Sequence, residues 1–236
     1  YGLTKFKNGE ENIQNHIENR FRDIGYTVKS KILYASDFGV PQRRNRLFIV
    51  GNRNGIDFEF PKEFDYSVSV DEAISDLPVL GNGEIQMKGE YTVPFEQASP
   101  YAQLMRKKSK APTQNIVSRN KDYVVERYKY IGQGENWSSI PDRLMENYAD
   151  KKRCHSGIYK RLIGGKPSVV ISNYRKSMLI HPHQDRGLSV REAARLQSFP
   201  DHFIFEGPVS YVQQQIGNAV PPLLAKAVMK KILTYK

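Results

Sequence analysis

The sequence predicts an α/β protein in which regular helix and strand segments at both ends flank an irregular middle. Apolar residues at helical spacing from Ile13 to Ile24 end at Gly25, and an alternating strand pattern follows over residues 26–33. Residues 46–51 have the continuous apolar character of a short, buried strand. Residues 84–180 show weak periodicity, several prolines and many aromatic and basic side chains, which indicates a separate lobe rich in irregular strands and loops.

Three helix starts complete the regular part of the prediction. Ser69 with Glu72, and Ser189 with Glu192, have the spacing of capping boxes, in which each residue satisfies a backbone donor of the other. Each pair therefore predicts a short helix beginning just after the serine. A final helix is predicted to begin at residues 221–222, two prolines placed where a first helical turn tolerates them.

The charge balance favours a polyanionic partner. The 236 residues include 36 Lys and Arg against 25 Asp and Glu, a formal net charge of +11. This excess places nucleic acid ahead of an acidic membrane as a partner, although a solvated, soluble surface explains the charge equally well. No apolar run approaches the roughly 20 residues of a membrane helix. The single cysteine, Cys154, allows no intramolecular disulfide and fits a reducing cytoplasm.

Gln42, Arg44 and Arg46 are the first candidate site residues. The two arginines alternate as strand residues do, so both side chains are expected to emerge on one face at the mouth of the 46–51 strand, beside the amide of Gln42. Two permanent cations and an amide can hold a phosphate or hydrogen-bond a base carbonyl. Spacing alone describes an arginine ladder that solvates an edge strand at least as well.

Two further blocks lie near the end of the sequence. Residues 186–201 predict a capped amphipathic helix followed by a sharp turn, which by itself is a structural brace. In residues 215–222, Gly217 allows the backbone to come close to a ligand, and Asn218 offers both a hydrogen-bond donor and an acceptor. The prolines start a helix whose N-terminal end favours electron-rich groups. Taken alone, this block is also a common helix-entry loop.

Together and in this order, the three blocks resemble conserved motifs of the DNA cytosine-5 methyltransferases. The family's Gln-x-Arg-x-Arg pattern is matched at residues 42, 44 and 46, and its Arg-Glu-Ala-Ala-Arg-Leu-Gln-Ser-Phe-Pro-Asp stretch at 191–201. Its Gly-Asn-x-Val-Pro pattern is matched at residues 217, 218, 220 and 221. The resemblance covers residues 1–80 and 157–236, and the middle falls where the family keeps its variable target-recognition region.

The resemblance implies a partial Rossmann-like methyltransferase domain with a smaller DNA-recognition lobe. Residues 1–83 are then expected to form the second half of the catalytic domain and residues 84–185 the recognition lobe. Residues 186–236 are expected to return to the catalytic domain and complete its cofactor pocket. The implied cofactor is S-adenosylmethionine, and the implied partner is double-stranded DNA with its target cytosine flipped out of the duplex.

The resemblance also implies roles for individual residues. Arg46 is expected to contact the flipped cytosine, and Arg44 is expected to order an acidic residue of the same pocket, with Gln42 beside them. The residues expected to line the cofactor pocket are Asn218, Ala219 and Val220. The candidate base-reading and DNA-binding residues of the lobe are Arg161, Asn173, Arg175 and Lys176. The Cys and His residues match no standard zinc spacing, so no metal site is predicted.

The sequence departs from the family at the nucleophile, which the family carries in a Pro-Cys motif. Here Cys154 follows Arg153, and the family's Gly-rich cofactor loop and Glu-Asn-Val motif are also absent. We therefore expect a missing N-terminal catalytic half, in the same polypeptide or in a separate subunit, and no methylation by this chain alone. The expected setting is bacterial or phage restriction–modification in the cytoplasm. The alternative is a non-catalytic, sequence-specific DNA-binding module.

Overall fold

The structure is a computed structural model that describes residues 7–8, 11–146, 156–172 and 179–235. The strands are β1 (Lys7–Asn8), β2 (Glu11–Asn12), β3 (Thr27–Tyr34), β4 (Asn45–Asn52), β5 (Ile85–Lys88) and β6 (Thr113–Ile116). The α-helices are α1 (Ile13–Asp23), α2 (Val70–Ile74), α3 (Pro100–Arg106), α4 (Asp122–Tyr128), α5 (Val190–Leu196), α6 (Val209–Asn218) and α7 (Pro222–Leu233). Short 3₁₀ turns lie at Ala35–Phe38, Phe95–Gln97, Trp137–Ser139 and Asp142–Leu144.

The helix starts that the sequence predicts are confirmed. Ser69 and Ser189 each accept a hydrogen bond from the backbone N–H of the glutamate three residues later, and each glutamate bonds back to the serine N–H. Helix α7 begins at Pro222, directly after Pro221. These starts are set by groups only a few residues apart, which is why local spacing predicts them.

The described strands form three separate antiparallel pairs, β1 with β2, β3 with β4, and β5 with β6. The mixed α/β class is therefore confirmed, whereas the larger Rossmann-like sheet stays a prediction. The longest pair runs from Thr27 opposite Asn52 to Tyr34 opposite Asn45. Within the described residues, the outer edges of β3 and β4 have no further strand partner.

Helices cover both faces of the β3–β4 pair. On one face, Gln14 of α1 donates to the hydroxyl of Ser30, which in turn donates to Glu18. On the other face, Leu33 packs in a core with Leu224 and Val228 of α7. A strand pair that is covered by helices on both faces is typical of an α/β sheet rather than of an isolated hairpin.

The largest apolar core draws on all three predicted segments. It joins Ile74 of α2, Met105 of α3, Ala194 of α5 and Ile216 of α6. Helix α3, although it lies beyond the predicted boundary at residue 84, thus packs into the shared core. A second core, formed by Val124, Tyr128, Ile131, Ile140, Met145, Tyr159 and Ile180, lies wholly within residues 84–185. The division into three segments stays a prediction.

The described residues include no helix that could span a bilayer. They also include no group of three or more His, Cys, Asp or Glu side chains that could bind a metal ion. His183 instead bonds Asp71 at 2.8 Å. His181 is buried, which lowers its pKa to about 4. Cys154 lies outside the described residues.

Candidate functional site

Arg44 lies at the centre of the candidate site, just before β4. Its side chain is buried, and its Nη1 donates to the carbonyl of Ile171 at 2.8 Å. Its Nη2 donates to the carbonyl of Gly217, 173 residues further along the chain, at 2.6 Å. The remaining Nε is buried and has no hydrogen-bond partner among the described residues. Arg44 therefore ties three distant segments together and leaves one donor unsatisfied.

Arg46, the second residue of β4, reaches the same C-terminal end of α6 as Arg44. Its side chain is half-buried, and its Nη2 donates to the carbonyl of Ala219 at 3.3 Å, while Nη1 donates to Asn45 at 2.9 Å. Burial lowers the pKa of Arg46, but a guanidinium stays protonated in proteins. Arg44 and Arg46 thus contact the carbonyls on either side of Asn218. Both side chains are directed to the same helix end, but Arg44 is buried rather than open at the mouth of the strand, where the spacing predicts it.

Gln42 is fully buried, which differs from the predicted position at the mouth of the strand. Its side-chain oxygen accepts from the N–H of Ile171 at 3.0 Å, and its Nε2 donates to the carbonyl of Leu196 at 3.2 Å. Both ends of the amide are therefore engaged with backbone. The structure gives Gln42 a positioning role, because it holds the chain around Ile171 beside Arg44.

Residues 168–172 belong to the site but were not identified from the sequence. Backbone hydrogen bonds join Ser168 to Pro41 at 3.0 Å and to Arg43 at 2.8 Å. Val169 and Val170, between these anchors and Ile171, are exposed. No local signal marks this segment, because its position depends on contacts with residues more than 120 positions away.

The candidate DNA-binding residues of the lobe fall into two groups. Asn173, Arg175 and Lys176 lie outside the described residues, directly after the anchored segment 168–172, and their role stays a prediction. Arg161 is described, and it is buried. Its guanidinium donates to backbone carbonyls and to Asp185, with acceptors at Tyr128, Ile131, His181, Gln184 and Asp185. The surface position predicted for Arg161 is therefore corrected to a position inside the lobe.

Gly217 has no side chain, so another backbone segment can pack closely against it. That segment is Ser172 of the same chain rather than a ligand. A Cβ at this position would lie 1.9 Å from the carbonyl oxygen of Ser172 and 2.7 Å from its carbonyl carbon. The contact brings α6 against the anchored segment and aligns the Gly217 carbonyl with Arg44. The prediction that this glycine admits a ligand is corrected accordingly.

We expect Gly217→Ala to lower the free energy of unfolding by about 1–3 kcal/mol, because backbone rather than a flexible side chain must move to admit the methyl group. Urea unfolding followed by circular dichroism measures this change. Gly165→Ala is the matched control, since a Cβ there meets nothing within 4 Å. Equal stability of the two variants would show that the Ser172 contact is not required.

Asn218, Ala219 and Val220 form an accessible surface at the end of α6. The side chains of Asn218 and Val220 are exposed, and Ala219 is half-buried. Within the described residues, the Asn218 amide makes no side-chain hydrogen bond, so its donor and acceptor are both available. An open amide and an exposed apolar side chain beside two arginines fit a ligand that has both polar and apolar groups.

The block at 186–201 is a structural brace, as its pattern predicts. Arg195 is fully buried and donates to both oxygens of Asp201 at 2.6 Å. It also bonds Asp76, beyond α2, at 2.9 Å. Burial alone would raise the pKa of Asp201, but the hydrogen bonds and charge of Arg195 outweigh it and hold that pKa below its usual value.

A second buried ion pair fixes the start of α5. Arg186 donates to the two oxygens of Glu192 at 2.7 and 2.9 Å. Burial alone would raise the pKa of Glu192, but the charge of Arg186 outweighs it and lowers the pKa to about 2. Arg191, on the same helix, donates to the backbone and hydroxyl of Thr113 in β6. The brace thus joins α5 to the first segment and to the middle of the chain.

Comparison with known proteins identifies the family. The sequence matches the C-5 cytosine-specific DNA methylase family over residues 1–234, nearly its whole length. The chain belongs to this family. Among curated relatives, it is 35% identical to the type II methyltransferase M1.HphI of Haemophilus parahaemolyticus and 33% identical to M.DdeI of Desulfomicrobium norvegicum. These alignments cover 92% and 94% of the methylase chain, but only 50% and 58% of the two relatives.

Solved structures support the methylase fold. A DNA modification methyltransferase encoded within an E. coli prophage aligns with a TM-score of 0.66 and 22% identity, over 97% of this chain and 66% of that protein. The methyltransferase EhMeth of Entamoeba histolytica aligns with a TM-score of 0.52 and 12% identity, over 96% of this chain and 59% of that protein. The chain therefore has a methyltransferase fold and spans about half to two thirds of the length of these four proteins.

Proposed function

We propose that this chain supplies the target-base and DNA-recognition part of a cytosine-5 methyltransferase active site. The reaction transfers a methyl group from S-adenosylmethionine to C5 of a cytosine flipped out of a specific DNA site. The observation that carries the proposal is the meeting of Arg44 and Arg46 with the carbonyls on either side of Asn218. Residues that the family's motifs place in one pocket are thereby brought together.

Arg46 is suited to hold the flipped base. A guanidinium has five N–H groups, and two nitrogens of Arg46 are engaged with Asn45 and Ala219. The remaining N–H groups can donate to the carbonyl oxygen and ring nitrogen of cytosine, which are acceptors. When a thiolate adds to C6, negative charge develops on these same atoms, and a fixed cation beside them stabilises that charge. Arg46 then acts on the transition state as well as on binding.

Arg44 and Gln42 position the pocket rather than contact the base. Arg44 holds the carbonyls of Ile171 and Gly217, and Gln42 holds the backbone of Ile171 and Leu196. The buried, unpaired Nε of Arg44 suits an acidic partner, because a buried donor without a partner is costly. The acidic pocket residue that the family resemblance implies would satisfy it.

The end of α6 is suited to hold the cofactor. S-adenosylmethionine supplies an electrophilic methyl group when it is bound. The exposed amide of Asn218 can donate to and accept from polar groups of the cofactor, and Val220 offers an apolar contact. Ala219 is held in place by Arg46, so base and cofactor sites share one anchored turn.

The nucleophile must come from residues outside this sequence, because its one cysteine, Cys154, has no preceding proline. We propose that a Pro-Cys segment, in the same polypeptide or in a separate subunit, adds to the open edge of β4. Strand β4 contains the apolar run Leu47–Val50. Strand β3 instead contains Lys29 and Lys31, which form ion pairs with Asp57 and Glu63. Charged residues protect an outer strand edge from further pairing, so β4 is the better joining edge.

The relatives suggest the biological setting. M1.HphI and M.DdeI are named type II methyltransferases, the modification enzymes of restriction–modification systems. We propose the same role for this chain, with duplex DNA as the partner. The net charge of +11, to which Arg175 and Lys176 contribute, supports DNA binding.

We expect the isolated chain to transfer no methyl group, because it lacks the Pro-Cys nucleophile. Tritium transfer from labelled S-adenosylmethionine to long unmethylated DNA measures this, first with the chain alone and then with the Pro-Cys segment. Turnover is expected only in the second case, and Cys154→Ser is expected to leave it unchanged. Turnover by the chain alone, lost in Cys154→Ser, would overturn the proposal. Specific DNA binding without turnover in either case would identify a non-catalytic DNA-binding module instead.

A further inference from the structure

A second polar cleft lies apart from the site around Arg46. It has a volume of about 630 Å³ and is lined by the end of β5, the end of α3 and the loops that follow them. Its lining includes three cationic side chains, Lys88, Arg106 and Lys110, and a single carboxylate, Glu90. The cleft shares no lining residue with the site around Arg44 and Arg46. Its positive charge is therefore not explained by that site.

Arg106 forms the buried wall of this cleft. Only 7% of the residue is exposed, and its guanidinium lies 3.8 Å from the centre of the Tyr91 ring. Its Nη1 donates to Val93 at 3.2 Å and to Asp76 at 3.4 Å. Its Nε and Nη2 have no hydrogen bond within the described residues, and neither is sealed from solvent. Two nitrogens of a nearly buried cation, with three N–H groups between them, are thus open to a ligand in the cleft.

The buried network behind the cleft carries an excess of positive charge. Arg106 and Arg195 share Asp76, and Arg195 also bonds Asp201, whereas the buried guanidinium of Arg191 bonds only uncharged oxygens of Thr113, Pro200 and Phe203. These three guanidinium groups and two carboxylates leave one positive charge uncompensated. An uncompensated charge in a buried network is unfavourable. Arg106 has the longest ion-pair contact and borders the cleft, so an anion entering there would offset the excess.

Two exposed lysines lie at the rim of the cleft. Lys88 and Lys110 are both exposed, and neither forms an ion pair within the described part of the chain. Lysine binds phosphate as a point charge, whereas a guanidinium provides directed donors. A buried guanidinium beside two exposed lysines is thus suited to a tetrahedral anion, and the three cations outnumber the one carboxylate of the lining, Glu90.

We propose that the cleft formed by Lys88, Arg106 and Lys110 binds a phosphate group. Two sources have this chemistry, a backbone phosphate of the bound DNA outside the target base pair and a free phosphate compound. The assignment to a DNA phosphate rests on the proposed function, since it requires the chain to bind duplex DNA. Binding of a free phosphate compound in the cleft does not depend on the proposed function.

The first test measures DNA binding by the full chain. Lys88→Ala/Lys110→Ala is expected to weaken binding and to reduce the slope of log affinity against log salt by about 1, the loss of one phosphate contact. Lys107→Ala/Lys108→Ala is the matched control, because it removes the same charge from exposed residues that do not line the cleft. The control should keep the wild-type salt slope.

The second test uses inorganic phosphate in place of DNA. At constant ionic strength, phosphate should raise the Tm of the wild-type chain and of the control, but not that of Lys88→Ala/Lys110→Ala. A changed salt slope assigns the site to DNA, whereas loss of phosphate protection alone assigns it to a free phosphate compound. Equal behaviour of the two double variants in both tests overturns the proposal. A wild-type chain that binds no DNA refutes the proposed function, and the phosphate test still decides the cleft.

Discussion

Asp201→Ala is expected to lower the free energy of unfolding by about 3–5 kcal/mol, the usual cost of leaving one partner of a buried ion pair without the other. Arg195 and Asp201 are both fully buried and share two hydrogen bonds of 2.6 Å. Asp201 also accepts from the hydroxyl of Tyr91 at 2.7 Å. Its removal leaves Asp76 as the one carboxylate bonded to Arg195 among the described residues, and Asp76 is already shared with Arg106.

Denaturant unfolding followed by circular dichroism measures this loss, with Asp57→Ala as the control. Asp57 forms a 2.5 Å ion pair with Lys29, but both side chains are exposed, and such pairs contribute little. If Asp201→Ala does not fold, Tyr91→Phe provides a milder change at the same carboxylate, with an expected cost of about 1 kcal/mol. If Asp201→Ala and Asp57→Ala had the same free energy of unfolding, the Arg195–Asp201 ion pair would not stabilise the fold.

The elements that the sequence predicts well are those set by neighbouring residues. The capping boxes at Ser69 and Ser189 and the proline start of α7 depend on groups within one helical turn. The common direction of Arg44 and Arg46 follows from the two-residue period of a strand. Their bonds to the carbonyls on either side of Asn218 depend on more than local spacing, because each pair lies 173 positions apart in the chain.

The features that the sequence does not predict depend on distant contacts. Gln42 and Arg161 have polar side chains of the kind that contact ligands, yet both are buried and bonded to backbone. Gly217 approaches Ser172, a residue 45 positions earlier, for which no pattern exists. Residue type alone does not distinguish a polar side chain that holds the fold from one that holds a substrate.

Arg46→Ala is expected to reduce kcat/KM for methyl transfer by about 100-fold or more, the usual effect of removing one fixed donor from a site of developing charge. The substitution also removes the bond to the Ala219 carbonyl, so the turn beside the proposed cofactor site loses an anchor. Arg43→Ala is the matched control, since Arg43 lies in the same segment with an exposed side chain.

The most direct test is methyl transfer to long unmethylated DNA by the chain together with the proposed Pro-Cys segment, compared between these two variants. The account predicts that Arg43→Ala turns over at nearly the wild-type rate, while Arg46→Ala still binds DNA but transfers almost no methyl groups. Equal turnover by Arg46→Ala and Arg43→Ala would contradict the assignment of this pocket to the target cytosine.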